Sequence, residues 1–157
     1  MLVAFGRKIN IYYMRGVMII FLWLVLYTGG IVVGTGKYRD IINNSNDVFD
    51  IIVSSTMVFF FYTLSNVAIL CCLASIIGGI CRGSNSLLAL AANGLFIYLI
   101  LISGLLLLGT SPFDNLSQAQ YTRLAGTSSL FAFVCGYNPG MLGKLVNKIE
   151  EMVKEKS

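Results

Sequence analysis

Histidine is absent from the 157 residues. Without it the chain lacks the commonest metal ligand and the usual base for a Ser or Cys nucleophile. Charge is also scarce. Asp, Glu, Lys and Arg make up 11% of the chain and hydrophobic residues 57%, where a soluble domain carries about 25% charged residues. A surface this poor in charge cannot face water all round, which excludes a monomeric globular protein of the cytosol. No dense basic run exists despite the net charge of +4, so direct nucleic-acid binding is not expected. The four cysteines, Cys71, Cys72, Cys81 and Cys135, include no CxxC pair. Neither a disulfide framework nor a zinc site follows, and the thiols read as small buried hydrophobes.

The apolar stretches are continuous rather than alternating, which excludes a membrane β-barrel. No long apolar stretch has an Asp, Glu, Lys or Arg in its interior. Proton relays, voltage sensors and ion-coupled carriers need such groups, so the sequence argues against a secondary transporter. It also holds no Gly-rich phosphate loop. No catalytic, cofactor-binding or metal-ligating residue is assigned, and the reading is non-enzymatic.

What the chain does have is hydrophobic length, with a mean hydropathy of +0.81. A helical span needs roughly 20 apolar residues. Four candidates stand at 17–36, 51–81, 87–108 and 124–142, the last weaker and broken near its end by GYNPG at 136–140. The expected class is therefore an all-α integral membrane protein of four spans. Residues 1–16 form a basic amphipathic cytoplasmic start. The apolar segment that follows is too long for a signal-peptide core, so no cleavage is expected.

Residues 37–50 read as an external loop whose Asp40, Asp47 and Asp50 do not match calcium-ligand spacing. Residues 82–86 form a tight cytoplasmic turn, and 109–123 a second external loop. The stretch 51–81 is uncharged over 31 residues, more than one span requires, and suggests a tilted or protruding helix.

Basic residues set the orientation. With both ends inside, eight of the eleven Lys and Arg are cytoplasmic, leaving Lys37, Arg39 and Arg123 outside. If 124–142 failed to cross, only four would be inside, against the rule. Charge thus supports the fourth span independently of its hydropathy.

Small and polar residues mark candidate sites. Gly30 and Gly34 form a GxxxG, and Ser75, Gly79 and Gly83 a small-residue row. Both let helix backbones approach for packing or self-association, and a cyclic homo-oligomer is expected. Thr56, Tyr62, Thr63 and Asn66 give the second stretch its polar character. An amide in mid-membrane needs a partner, and a pore-lining face is the alternative. Leading into the tail at 143–157, Leu142, Val146, Ile149 and Val153 follow 4-3-4 spacing and share one helical stripe. With Arg82 they form a candidate docking surface for a soluble cytoplasmic protein.

The segment YTRLAG at 121–126, followed by FAFVCGYNP at 131–139 and an amphipathic tail, resembles the ending of small bacterial membrane proteins. With the four-span layout it is similar to the small membrane subunit of Kiwa-type two-component anti-phage defence systems. The resemblance covers the chain from Tyr121 onward and the general topology, and carries no functional residue across. It implies a homo-oligomer of the bacterial inner membrane that detects phage insult at the envelope, with a soluble, DNA-binding effector as partner. Three functions stay open at this stage. They are a sensor or scaffold that recruits a partner, a small pore or depolarising effector, and an immunity or exclusion protein.

Overall fold

The computed structural model describes the backbone of residues 2–33, 36–45, 47–84, 86–107 and 118–155. Side chains are described within those ranges from Met14 onward, except at 104–107, 145, 148–150 and 152–155. Among the described residues there are seven helices and no strand: α1 Leu2–Val32, α2 Gly36–Asn44, α3 Val48–Phe61, α4 Thr63–Cys81, α5 Leu87–Leu107, α6 Gln118–Tyr137 and α7 Gly140–Glu155. Among the described residues two segments are long and apolar enough to cross a membrane, Met14–Val32 of α1 and Thr63–Cys81, which is α4.

These boundaries revise several expectations. The basic start is not a separate element, because α1 runs unbroken from Leu2. It ends at Val32, short of residue 36. The region read as the first external loop holds α2 and the first turn of α3. The uncharged stretch 51–81 is two helices, parted at Tyr62. The fourth apolar helix begins earlier, at Gln118, and stops at Tyr137. The tail helix already begins at Gly140. Most of the second external loop, 109–117, lies outside the described residues.

Local chemistry fixes the ends. Asp47 caps α3, its carboxylate accepting the Phe49 N–H at 2.9 Å, and Asp50 adds negative charge in the first turn where the helix dipole favours it. At the end of α4 the Gly83 N–H bonds to the Ile80 carbonyl and the Ser84 N–H to the Gly79 carbonyl. This is a Schellman cap, with Gly83 at a φ of 85° that side chains rarely adopt. Pro139 separates α6 from α7, and Asn138 Oδ1 accepts the Gly140 N–H at 3.2 Å.

The centre of the fold is α4, packed most extensively on α6, then on α5 and α1. Pairings along the helices give their directions. Gly16 lies near Ile80, and Leu26 meets Asn66, so α1 runs antiparallel to α4. Gly79 faces Leu90 and Gly94 faces Cys71, so α5 does too. Tyr121 meets Asn66 and Gly136 meets Ser75, which makes α6 parallel to α4. The four long helices thus alternate in direction along the chain. Leu26, Val67, Leu70, Ile97, Ala125 and Ala132 belong to the core between them. The outer surface is apolar as well: Val17, Met18, Phe21 and Leu24 of α1 are all exposed.

Candidate functional site

The break between α3 and α4 contains neither proline nor glycine. Tyr62 adopts an extended backbone, φ −67° and ψ 130°. In a continuous helix the carbonyls of Phe59 and Phe60 would accept the N–H groups of residues 63 and 64. Here side chains replace those donors. Ser65 Oγ donates to the Phe59 carbonyl at 2.5 Å, and Asn66 Nδ2 donates to the Phe60 carbonyl at 2.7 Å. A kink of this kind arises where side chains enter the helix ladder.

Asn66 has no exposed surface, and its amide is fully engaged. The second Nδ2 proton goes to the Leu26 carbonyl of α1 at 3.1 Å, and Oδ1 accepts the Tyr121 hydroxyl of α6. One amide therefore joins α1, α3, α4 and α6. This is the condition under which a buried polar group is tolerated.

Glycine makes the junction possible. A methyl on Gly30 would collide with the Tyr121 hydroxyl, and one on Gly29 with the Phe61 ring. Tyr121 also leans against Tyr27, which stacks on Trp23 at 5.0 Å between ring centroids. The Trp23 indole N–H reaches Ser129 Oγ at 3.4 Å, and Gln118 Nε2 reaches the Ile31 carbonyl at 3.5 Å. At the break itself, the Arg39 guanidinium of α2 sits 4.6 Å from the centre of the Tyr62 ring.

Below this junction the helices touch backbone to backbone. A methyl at Gly136 would run into the Ser75 carbonyl, one at Gly78 into the Phe133 carbonyl, and one at Gly94 into the Cys71 carbonyl. Close approach of this kind is what small residues permit where helix pairing relies on packing. A cleft of about 290 Å³ opens between α1, α4 and α6, with Trp23, Ala74, Gly126 and Ser129 in its wall.

Among the residues singled out from sequence, Gly30, Ser75 and Gly79 lie in these close contacts, all within the chain. Ser75 is fully buried and its hydroxyl has no hydrogen-bond partner among the described residues. Gly83 does not continue the packing row. It forms the turn after α4, with open space around its Cα. Gly34 lies outside the described residues.

Thr56, Tyr62, Thr63 and Asn66 do not form one continuous polar face. Thr56 is exposed on α3 and bonds to its own helix through the Ile52 carbonyl at 2.8 Å. Tyr62 and Thr63 flank the break, and Asn66 is sealed in the core. Arg82 is exposed at the end of α4. Leu142 packs against the core, and Val146 is exposed. The side chains of Ile149 and Val153 lie outside the described residues.

Sequence reasoning missed Tyr121, Gly78, Gly94 and Gly136. A signal for part of this was present, since Ser128, Ala132 and Gly136 follow one another at four-residue spacing. Among the described residues no group of three or more His, Cys, Asp or Glu side chains could hold a metal ion. No family model, curated protein or solved structure matches the chain.

Proposed function

We propose that the chain is a four-span protein of the bacterial inner membrane with both ends in the cytoplasm. It acts as a non-enzymatic, homo-oligomeric sensor or scaffold that recruits a soluble partner, in an anti-phage defence system of the Kiwa type. The spans are α1, α4, α5 and α6, whose alternating directions suit four successive crossings. Arg82 and α7 then share the cytoplasmic side, in keeping with the excess of basic residues there.

The observation that carries the sensor or scaffold reading is the engagement of Asn66. Its amide is consumed by Leu26, Phe60 and Tyr121 within one chain, so the most polar group of the bundle interior acts as a structural tie. What the protein offers outward on the cytoplasmic side is the turn at Arg82 and the amphipathic helix α7, anchored through Leu142 and carrying Val146 outward.

The test is purification of the tagged full chain from its host in mild detergent, with mass measurement of the particle and identification of stoichiometric companions. A soluble protein at fixed ratio, lost on deletion of 144–157 while membrane insertion persists, supports the reading. A companion retained by the truncated chain overturns the docking role of the tail. A homo-oligomer with no companion overturns recruitment altogether.

A further inference from the structure

The surplus helix α3 is the feature that a four-span reading leaves unused. On that reading α4 alone makes the second crossing. It lies alongside α1, with Ile80 beside Gly16 and Asn66 beside Leu26, and Phe61, the last residue of α3, lies beside Gly29, so the chain is already at the outer end of α1 when α3 meets α4. The 14 residues of α3 would extend about 21 Å, too short for a hydrocarbon core of about 30 Å.

Both neighbours of α3 also stand on the outer side. α2 begins at Gly36, just beyond the end of α1, packs along α3, and places Arg39 over Tyr62. Asp47 and Asp50 stand at the other end of α3.

The two helices form layers. In α2, Lys37, Arg39, Asp40, Asn43 and Asn44 are exposed while Tyr38, Ile41 and Ile42 are partly covered. In α3 only Ser54 is buried. Val48, Phe49, Ile52, Val53, Phe59 and Phe60 are all exposed, and at 100° per residue they spread over roughly 140° of the helix. That arc is wider than the narrow seam one partner helix covers. The Thr56 hydroxyl on the same side is spent on its own helix at Ile52, as suits a surface without water.

We propose that α3 does not cross the bilayer but lies in the outer leaflet, with lipid acyl chains covering its exposed face and the polar face of α2 turned to the headgroups. The inference rests on the four-span reading.

The test uses the unmodified full chain in phosphatidylcholine–phosphatidylglycerol vesicles. These contain a phospholipid with a photoactivatable diazirine either near the headgroup or at the end of the acyl chain. Adducts are mapped by mass spectrometry. The expected result is labelling of both edges of the α3 face, Ile52 and Phe59 on one side and Phe49, Val53 and Phe60 on the other. The shallow probe should label them several-fold more than the deep one, with the opposite preference at Phe21 and Leu24 of α1.

Equal labelling of α3 by the deep probe means that α3 crosses, which overturns the proposal. Labelling confined to one edge means that a second copy covers the helix, and overturns it too. An unlabelled α3 with α1 labelled puts α3 in water or under protein, and the proposal fails while the membrane reading stands. If neither helix is labelled, the four-span reading falls and the proposal with it.

Discussion

Tyr121 donates its hydroxyl proton to Asn66 Oδ1 across 55 residues of sequence, and through that one amide holds the carbonyls of Leu26 and Phe60. The bond ties α6 to the break between α3 and α4, so its loss is felt in both places. Asn66→Leu leaves the Tyr121 hydroxyl and the Phe60 carbonyl without partners, at a cost of about 1–3 kcal/mol for an unsatisfied buried group. Tyr121→Phe removes one donor and costs less. A double-mutant cycle read by detergent unfolding should give a coupling of about 0.6–1.7 kcal/mol, the range for hydrogen bonds between membrane helices. Strict additivity would mean that the two residues do not act together.

The glycines divide by what a methyl group would meet. Gly78→Ala, Gly94→Ala and Gly136→Ala each push a side chain into the backbone of a neighbouring helix, and overpacking of this sort costs about 1–3 kcal/mol. Gly36→Ala, Gly126→Ala and Gly143→Ala meet nothing within 4 Å and should leave the melting temperature unchanged or slightly raised. Thermal unfolding of the six variants in one detergent checks the division.

Ser75 should respond in the opposite sense to Asn66. Its hydroxyl is buried without a partner among the described residues, and removing an unsatisfied polar group recovers its desolvation cost. Ser75→Ala is expected to be neutral or stabilising by up to about 1 kcal/mol. A clear loss of stability in the same unfolding assay would mean that the hydroxyl has a partner in the folded protein.

Arg39 and Tyr62 make a smaller contribution where α2 meets the break between α3 and α4. A guanidinium over an aromatic face contributes about 0.5–1 kcal/mol at an exposed site. Arg39→Ala should loosen α2 by that amount, and Arg39→Lys should retain part of it. Tyr62→Phe should keep the interaction, because the ring and not the hydroxyl faces the cation. Amide hydrogen exchange across α2 reads these differences directly.

The all-helical class and the two span-length apolar helices were legible in the sequence, because uncharged runs with helical length leave little else to form. The division of 51–81 was not. FFFYTLSN carries no proline or glycine, and the break depends on Ser65 and Asn66 turning back to carbonyls that a straight helix would have satisfied itself. That Asn66 needs partners follows from its chemistry. That Tyr121 supplies one depends on α6 packing beside α4 in the register that sets Tyr121 against Asn66, which spacing along the chain does not encode. Gly83 shows the converse problem. Its four-residue distance from Gly79 suits a packing stripe, but the helix ends at Cys81, two residues before the stripe could continue, and the same glycine is used for its left-handed backbone.

The partners of Asn66 also become available at different times during synthesis. Leu26 precedes it by 40 residues and Phe60 by six, so both carbonyls exist when Asn66 leaves the ribosome. Tyr121 does not. On the membrane reading, the half-made protein therefore enters the bilayer with both amide protons placed and one oxygen acceptor open, and only the arrival of α6 closes it. The order of insertion is written into a single side chain, which makes α6 the helix that completes assembly.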